Sequence, residues 1–110
     1  MAHDEDLADR IREIVRDQPG LTEKRMFGGL AFLVDGNMAV AASGRGGLLL
    51  RVDPADTPTL VQRPGASRFE MRGRELNGWL HIAPTALTTE RQLHAWVSRG
   101  VTYAGSLPAE

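Results

Sequence analysis

Cysteine is absent from the 110 residues. That removes disulfides, thiolate metal ligands and cysteine nucleophiles together, and leaves the redox compartment open. Lysine is nearly absent as well: of 13 basic residues only Lys24 is lysine. Arginine offers bidentate pairing that lysine lacks, but a genome-wide codon bias gives the same skew, so no function is drawn from it. There is no strong net charge; the value of −1 argues against a surface that generally coats nucleic acid or membrane. No apolar run approaches the roughly 18 residues of a membrane span. Residues 1–9 are acidic and lack the apolar segment of a secretory signal. A cytoplasmic protein without membrane contact is expected.

What is present is ordinary for a soluble domain: 42% hydrophobic and 25% charged residues. The length predicts a single domain, residues 1–110 with a core over about 5–103, burying roughly two-thirds of its unfolded surface.

The most informative stretch is Arg25-Met26-Phe27-Gly28-Gly29 and the apolar run to Val34, followed by Asp35-Gly36-Asn37. Adjacent glycines are unfavourable inside a strand-forming run. Gly28 and Gly29 therefore read as a turn, a bulge or a place where another backbone or a ligand comes close. Neither this pair nor Gly44-x-Gly46-Gly47 fits a phosphate-cradling template.

Around that stretch the periodicities predict eight elements. Leu7, Ile11, Ile14 and Val15 mark a helix over 4–18, ended by Pro19-Gly20. Between Lys24 and Val52 the period becomes two: Leu30–Val34, Met38–Ala42 and Leu48–Val52 read as strands. Asp35-Gly36 is a tight-hairpin signal. Asp53-Pro54 caps a short helix ending before Pro64-Gly65, with Leu60 and Val61 inward. Ser67–Arg72 and Trp79–Ala83 are two further strands, separated by turn signals at Gly73 and Asn77-Gly78. The last helix starts near Thr89, where Gln92 completes a capping box, and the tail from Gly105 is expected to fray. The fold class is α+β, in the order α-β-β-β-α-β-β-α: a five-stranded antiparallel sheet with helices on one side.

Leu30, Phe32, Met38, Val40, Leu50, Phe69, Leu80 and Ile82 are expected to face the helices. The opposite face then carries Phe27, Leu33, Ala39, Ala41, Leu49, Trp79 and His81, which is too apolar to stand in water as one patch. A homodimer interface using Phe27, Leu33, Trp79 and His81 is the simplest remedy. A strand period displaced by one residue near the glycine pair would redistribute these side chains.

Catalytic and metal chemistry find little support. His81 and His94 lie on different elements outside any metal-ligand spacing, and His3 sits in an acidic terminus. No serine lies in a nucleophile elbow, and Asp53 with Asp56 reads as a helix N-terminus rather than an acid/base pair. No catalytic residue, cofactor or metal is expected; a small-molecule or enzymatic cleft near Gly28-Gly29 is the least favoured reading. Nucleic acid is the stronger alternative. Arg63, Arg68, Arg72 and Arg74 surround only Glu70, and Arg68, Arg72 and Arg74 are the candidate phosphate contacts. Against them, Glu70 is interleaved as cross-strand pairing requires, and neither a recognition helix nor an aromatic stacking platform is evident.

The MFGG hairpin, Asp35-Gly36-Asn37-Met38, Leu48–Pro54, Phe69-Glu70-Met71-Arg72-Gly73 and the strand containing Trp79 together resemble the TfoX N-terminal domain family over about residues 5–103. The resemblance implies a secretion-chaperone-like α+β fold and a dimer. It also implies a regulatory role of the kind the family's namesakes have in bacterial competence, with the transcription machinery. It supplies no catalytic residues. The sequence stops near the close of that domain, so the second, helical DNA-associated domain of the namesakes is not expected. The resulting expectation is a non-enzymatic protein-interaction module with an unidentified protein partner.

Overall fold

Leu7, Ala8, Ile11 and Val15 recur at helical spacing and are all buried, forming the inner stripe of α1 (Glu5–Val15). The protein is described from a computed structural model covering residues 5–26, 29–44, 46–71 and 73–109. After α1 the chain forms β1 (Leu21–Met26), β2 (Gly29–Val34), β3 (Asn37–Ala42) and β4 (Leu48–Arg51). A 3-10 turn (Pro54–Asp56) then leads into α2 (Thr57–Leu60). β5 (Ala66–Met71), β6 (Arg74–Ile82) and α3 (Glu90–Ser106) follow. The strands form one antiparallel sheet in the order β1-β2-β3-β4-β6-β5. The α+β class and the single helix-bearing face agree with the sequence reading.

The sheet has six strands among the described residues, not five. The added edge strand, β1, pairs with β2 from Leu21↔Val34 to Met26↔Gly29. Its residues Thr22, Glu23, Lys24 and Arg25 are exposed, so no apolar alternation announces it. Arg12 on α1 holds it instead, donating from Nε and Nη2 to the Glu23 carboxylate at 3.0 Å each.

Gly29 opens β2, and Phe27 and Gly28 lie outside the described residues. A Cβ at Gly29 would fall 2.1 Å from the Ala42 carbonyl oxygen, so this position serves close approach of the β3 backbone. The register shift of β2 comes later, between Phe32 and Leu33, where Ala39 is the extra residue on β3. Asp35 and Gly36 form the β2–β3 turn with φ of 51° and 86°, the positive pair that a tight hairpin requires.

Local signals elsewhere are realised as read. The Asp53 carboxylate accepts from Ala55 N–H at 2.9 Å, and Thr89 and Gln92 form a reciprocal capping box on α3. Asn77-Gly78 is different: it is not a turn but a bulge inside β6. Pairing passes from Arg68↔Leu80 to Phe69↔Leu76, leaving residues 77–79 extra. Gly78 N–H donates to the buried Thr57 hydroxyl at 3.0 Å, and its carbonyl accepts from Val52 N–H at 2.9 Å. The bulge is thus tied to α2 and the end of β4. The tail also departs from expectation: α3 runs through Ser106, and buried Asn37 donates from Nδ2 to the Pro108 carbonyl at 2.8 Å.

The principal core lies between the sheet and the helices. Phe32, Val40, Leu48, Leu50, Leu80 and Ile82 meet Ile11, Leu60, Leu93 and Val97 there. Ala39 also faces the helices, in a cluster with Val34 and Ala104. Met38 and Phe69, expected on that side, lie on the other face, because the extra residue at Ala39 turns Met38 over and Phe69 joins the opposite cluster.

Candidate interaction face

The helix-free face is assembled by cross-strand register. Ala31, Ala41, Leu49, His81 and Ser67 form one row, each directly opposite the next across β2, β3, β4, β6 and β5. Leu33 opposite Met38 and Arg51 opposite Trp79 form the next. Residues directly opposite share a face, so these side chains gather on one surface. Ala31, Met38, Ala41 and Leu49 are buried there although no helix residue belongs to their cluster. Leu33, Phe69 and Trp79 pack against them and remain half-exposed. The apolar face is therefore partly self-covered, with a small buried floor under three larger side chains.

The face carries charge of one sign. Arg51 is half-buried, with its guanidinium carbon 5.3 Å from the centroid of the Trp79 ring. Lys24, directly opposite Ala31, is exposed. Arg74 is exposed and two residues along β6 from Leu76, which lies opposite Phe69; strand alternation puts Arg74 on the same side. The strand carboxylates belong to the other face. Glu23 is opposite Phe32, and Glu70 is opposite Glu75, one position from Phe69 and Leu76. Among the described strand residues, the charged groups of the helix-free face are thus all cations.

His81 sits in the same surface as the apolar floor. Its Nε2 lies 2.8 Å from the Gly46 carbonyl oxygen. A carbonyl only accepts, so Nε2 carries the hydrogen and donates, which fixes the ring against the β3–β4 loop.

Of the residues singled out from the sequence, Leu33, Trp79 and His81 lie on this one face; Phe27 is outside the described residues. The arginines do not gather. Arg68 is half-buried, opposite the core residue Leu80, and donates from Nε to Asn77 Oδ1 at 3.3 Å. Arg74 is on the other face, and Arg72 lies outside the described residues. Arg51, Lys24, Met38 and Phe69 were not foreseen as members of the face. For Arg51 a signal existed: alternation in Leu48–Val52 sets it beside Leu49.

Among the described residues, hollows lie on the helix side. One of about 450 Å³ is bounded by Asp53, Asp56, Arg99 and Tyr103. Another, of about 390 Å³, is bounded by Arg63, Arg91 and Trp96, with the Arg63 guanidinium 5.7 Å from the Trp96 ring centroid. Among the described residues no three His, Cys, Asp or Glu side chains cluster as metal ligands, and no helix is long and apolar enough to cross a membrane.

Comparison with known proteins returned no matching curated protein and no matching solved structure. A family profile, that of the TfoX N-terminal domain, matches residues 13–104. This span runs from the last turn of α1 through the sheet to the last turns of α3, most of the 110-residue chain. The chain belongs to the TfoX N-terminal domain family.

Proposed function

We propose that this protein is a non-enzymatic interaction module that binds a protein partner through the helix-free face of its sheet. The observation that carries the reading is the cluster of Leu33, Phe69 and Trp79. These three half-exposed apolar side chains stand on a buried floor with no helix above them. Trp79 is the anchor, because large aromatic side chains at the centre of a patch dominate binding energetics. The setting we propose is transcriptional regulation in the cytoplasm; membership of the TfoX N-terminal domain family supports the regulatory part of that reading. Self-association through the same face is the second form of this reading, and Trp79→Ala weakens either form.

Photo-crosslinking side chains placed at Leu33 and Phe69, and as controls at Arg16, exposed just past the end of α1, and at His94, exposed on α3, test it in cells. Protein adducts are expected from the two sheet positions and should be lost in a folded Trp79→Ala background. Adducts of equal yield from Arg16 and His94, or adducts that survive Trp79→Ala, contradict the assignment.

A further inference from the structure

We infer that the partner docks an acidic, amphipathic segment, apolar side chains alternating with carboxylates, and that it is not a second copy of this chain. The inference rests on the sheet face being the binding surface and adds the chemistry of the occupant.

Three observations carry it. The centre of the face is aliphatic and aromatic, with Leu33, Phe69 and Trp79 offered to apolar side chains. Lys24 lies at its β1 margin and Arg74 at its β5–β6 margin, while Arg51 rests on the Trp79 ring. No carboxylate shares this face among the described strand residues, whereas Glu23, Glu70 and Glu75 all lie on the helix side. The sorting is by face and not by composition, since the whole chain carries 14 acidic and 13 basic residues.

An apolar surface edged by cations attracts a partner that brings carboxylates to the rim and apolar groups to the centre. A second copy brings the same cations to the same seam. Such like-charge juxtaposition works against pairing, as repulsive elements do wherever partner choice is enforced. Single-stranded nucleic acid also carries negative charge, but it binds by stacking bases on free aromatic faces. Here one face of Trp79 is already taken by Arg51, and the remaining floor is Ala31, Met38, Ala41 and Leu49.

The test is a titration of three labelled probes by fluorescence anisotropy. One is a short peptide alternating Leu or Phe with Glu, the second has Lys in place of each Glu, and the third is an oligothymidine strand. The Glu peptide is expected to bind. Its affinity should fall at least about tenfold in Lys24→Glu/Arg74→Glu, both exposed positions, with an unchanged circular dichroism spectrum as the control for folding, and again on raising the salt. Equal binding of the Lys peptide, or Glu-peptide binding that ignores the charge reversal, overturns the inference. If neither peptide binds while sedimentation shows a dimer lost in Trp79→Ala, the inference fails and the sheet-face reading stands. Oligothymidine binding more tightly than the Glu peptide overturns both.

Discussion

The guanidinium of Arg51 lies over the indole of Trp79, 5.3 Å from the ring centroid, on directly opposed positions of β4 and β6. The pair keeps a half-exposed aromatic side chain oriented above the apolar floor of the helix-free face. Arg51→Ala is expected to cost about 0.5–1 kcal/mol, the usual worth of a partly exposed cation–π contact. Trp79→Ala, which also removes cover from the cluster of Ala31, Met38, Ala41 and Leu49, should cost about 2 kcal/mol. Urea denaturation of the two variants checks the order; equal stability of both with the parent protein would remove the pair from the account.

Thr57 sets the shape of the same region from the other side of the sheet. Its buried hydroxyl accepts from Gly78 N–H at 3.0 Å, next to Trp79 at the β6 bulge. Thr57→Val keeps the volume but orphans that N–H, so a loss of about 1–3 kcal/mol is expected. Faster hydrogen exchange of the Gly78 amide should accompany it; unchanged exchange would show that the bond does not hold the bulge.

Gly100 lets α3 approach the sheet. A Cβ there would fall 2.7 Å from the Ala39 carbonyl oxygen and 2.5 Å from Leu50 Cδ1. Alanine favours helices by about 1 kcal/mol over glycine, yet Gly100→Ala is expected to destabilise by about 1–3 kcal/mol because rigid backbone is in the way. A raised melting temperature would contradict this close packing.

Asn37 links the β2–β3 hairpin to the end of the chain through its hydrogen bond to the Pro108 carbonyl. Asn37→Ala should release residues 107–109 to proteolysis and cost about 1–2 kcal/mol. Limited proteolysis with mass detection reads the release directly, and an unchanged cleavage pattern would argue against the tether.

Arg12 joins α1 to the β1 edge. Its hydrogen bonds to Glu23 raise its pKa above the ordinary arginine value, with Asp9 adding to the effect. A raised pKa in the folded state gives a contribution that is complete below the unfolded value and is lost only as pH climbs through the folded one. The Arg12 share should therefore stay constant from neutral pH to about 10. Arg12→Ala should cost less than about 1 kcal/mol, and less again in high salt, because the pair is partly exposed. Chemical denaturation at two pH values and two salt concentrations tests both statements.

Where a feature depended on neighbouring residues, the sequence disclosed it. The Asp53 cap, the Thr89–Gln92 box and the Asp35-Gly36 turn each close a hydrogen-bonding or backbone requirement within a few residues. β1 was missed because an edge strand need not alternate: its exposed Glu23, on the helix side of the sheet, is paired with Arg12, a partner on another element. The faces of Met38 and Phe69 were misassigned for a similar reason. The extra residue at Ala39 and the bulge at residues 77–79 are fixed by pairing across strands and by Thr57, contacts no local pattern contains. Leu33, Trp79 and His81 shared one face as expected: the extra residue opposite Leu33 lies on β3, and Trp79 and His81 keep regular pairing with Arg51 and Leu49 on the β4 side of the bulge.

Amide chemical-shift mapping of the isotope-labelled protein with the Glu-containing peptide shows whether the helix-free face is the binding surface. The largest changes are expected on Leu33, Leu49, Trp79 with its indole N–H, and His81, with the exposed side of α3 unmoved. Changes concentrated on the helix side, around Arg63 after α2 and Arg91 on α3, with the sheet face silent, would contradict it.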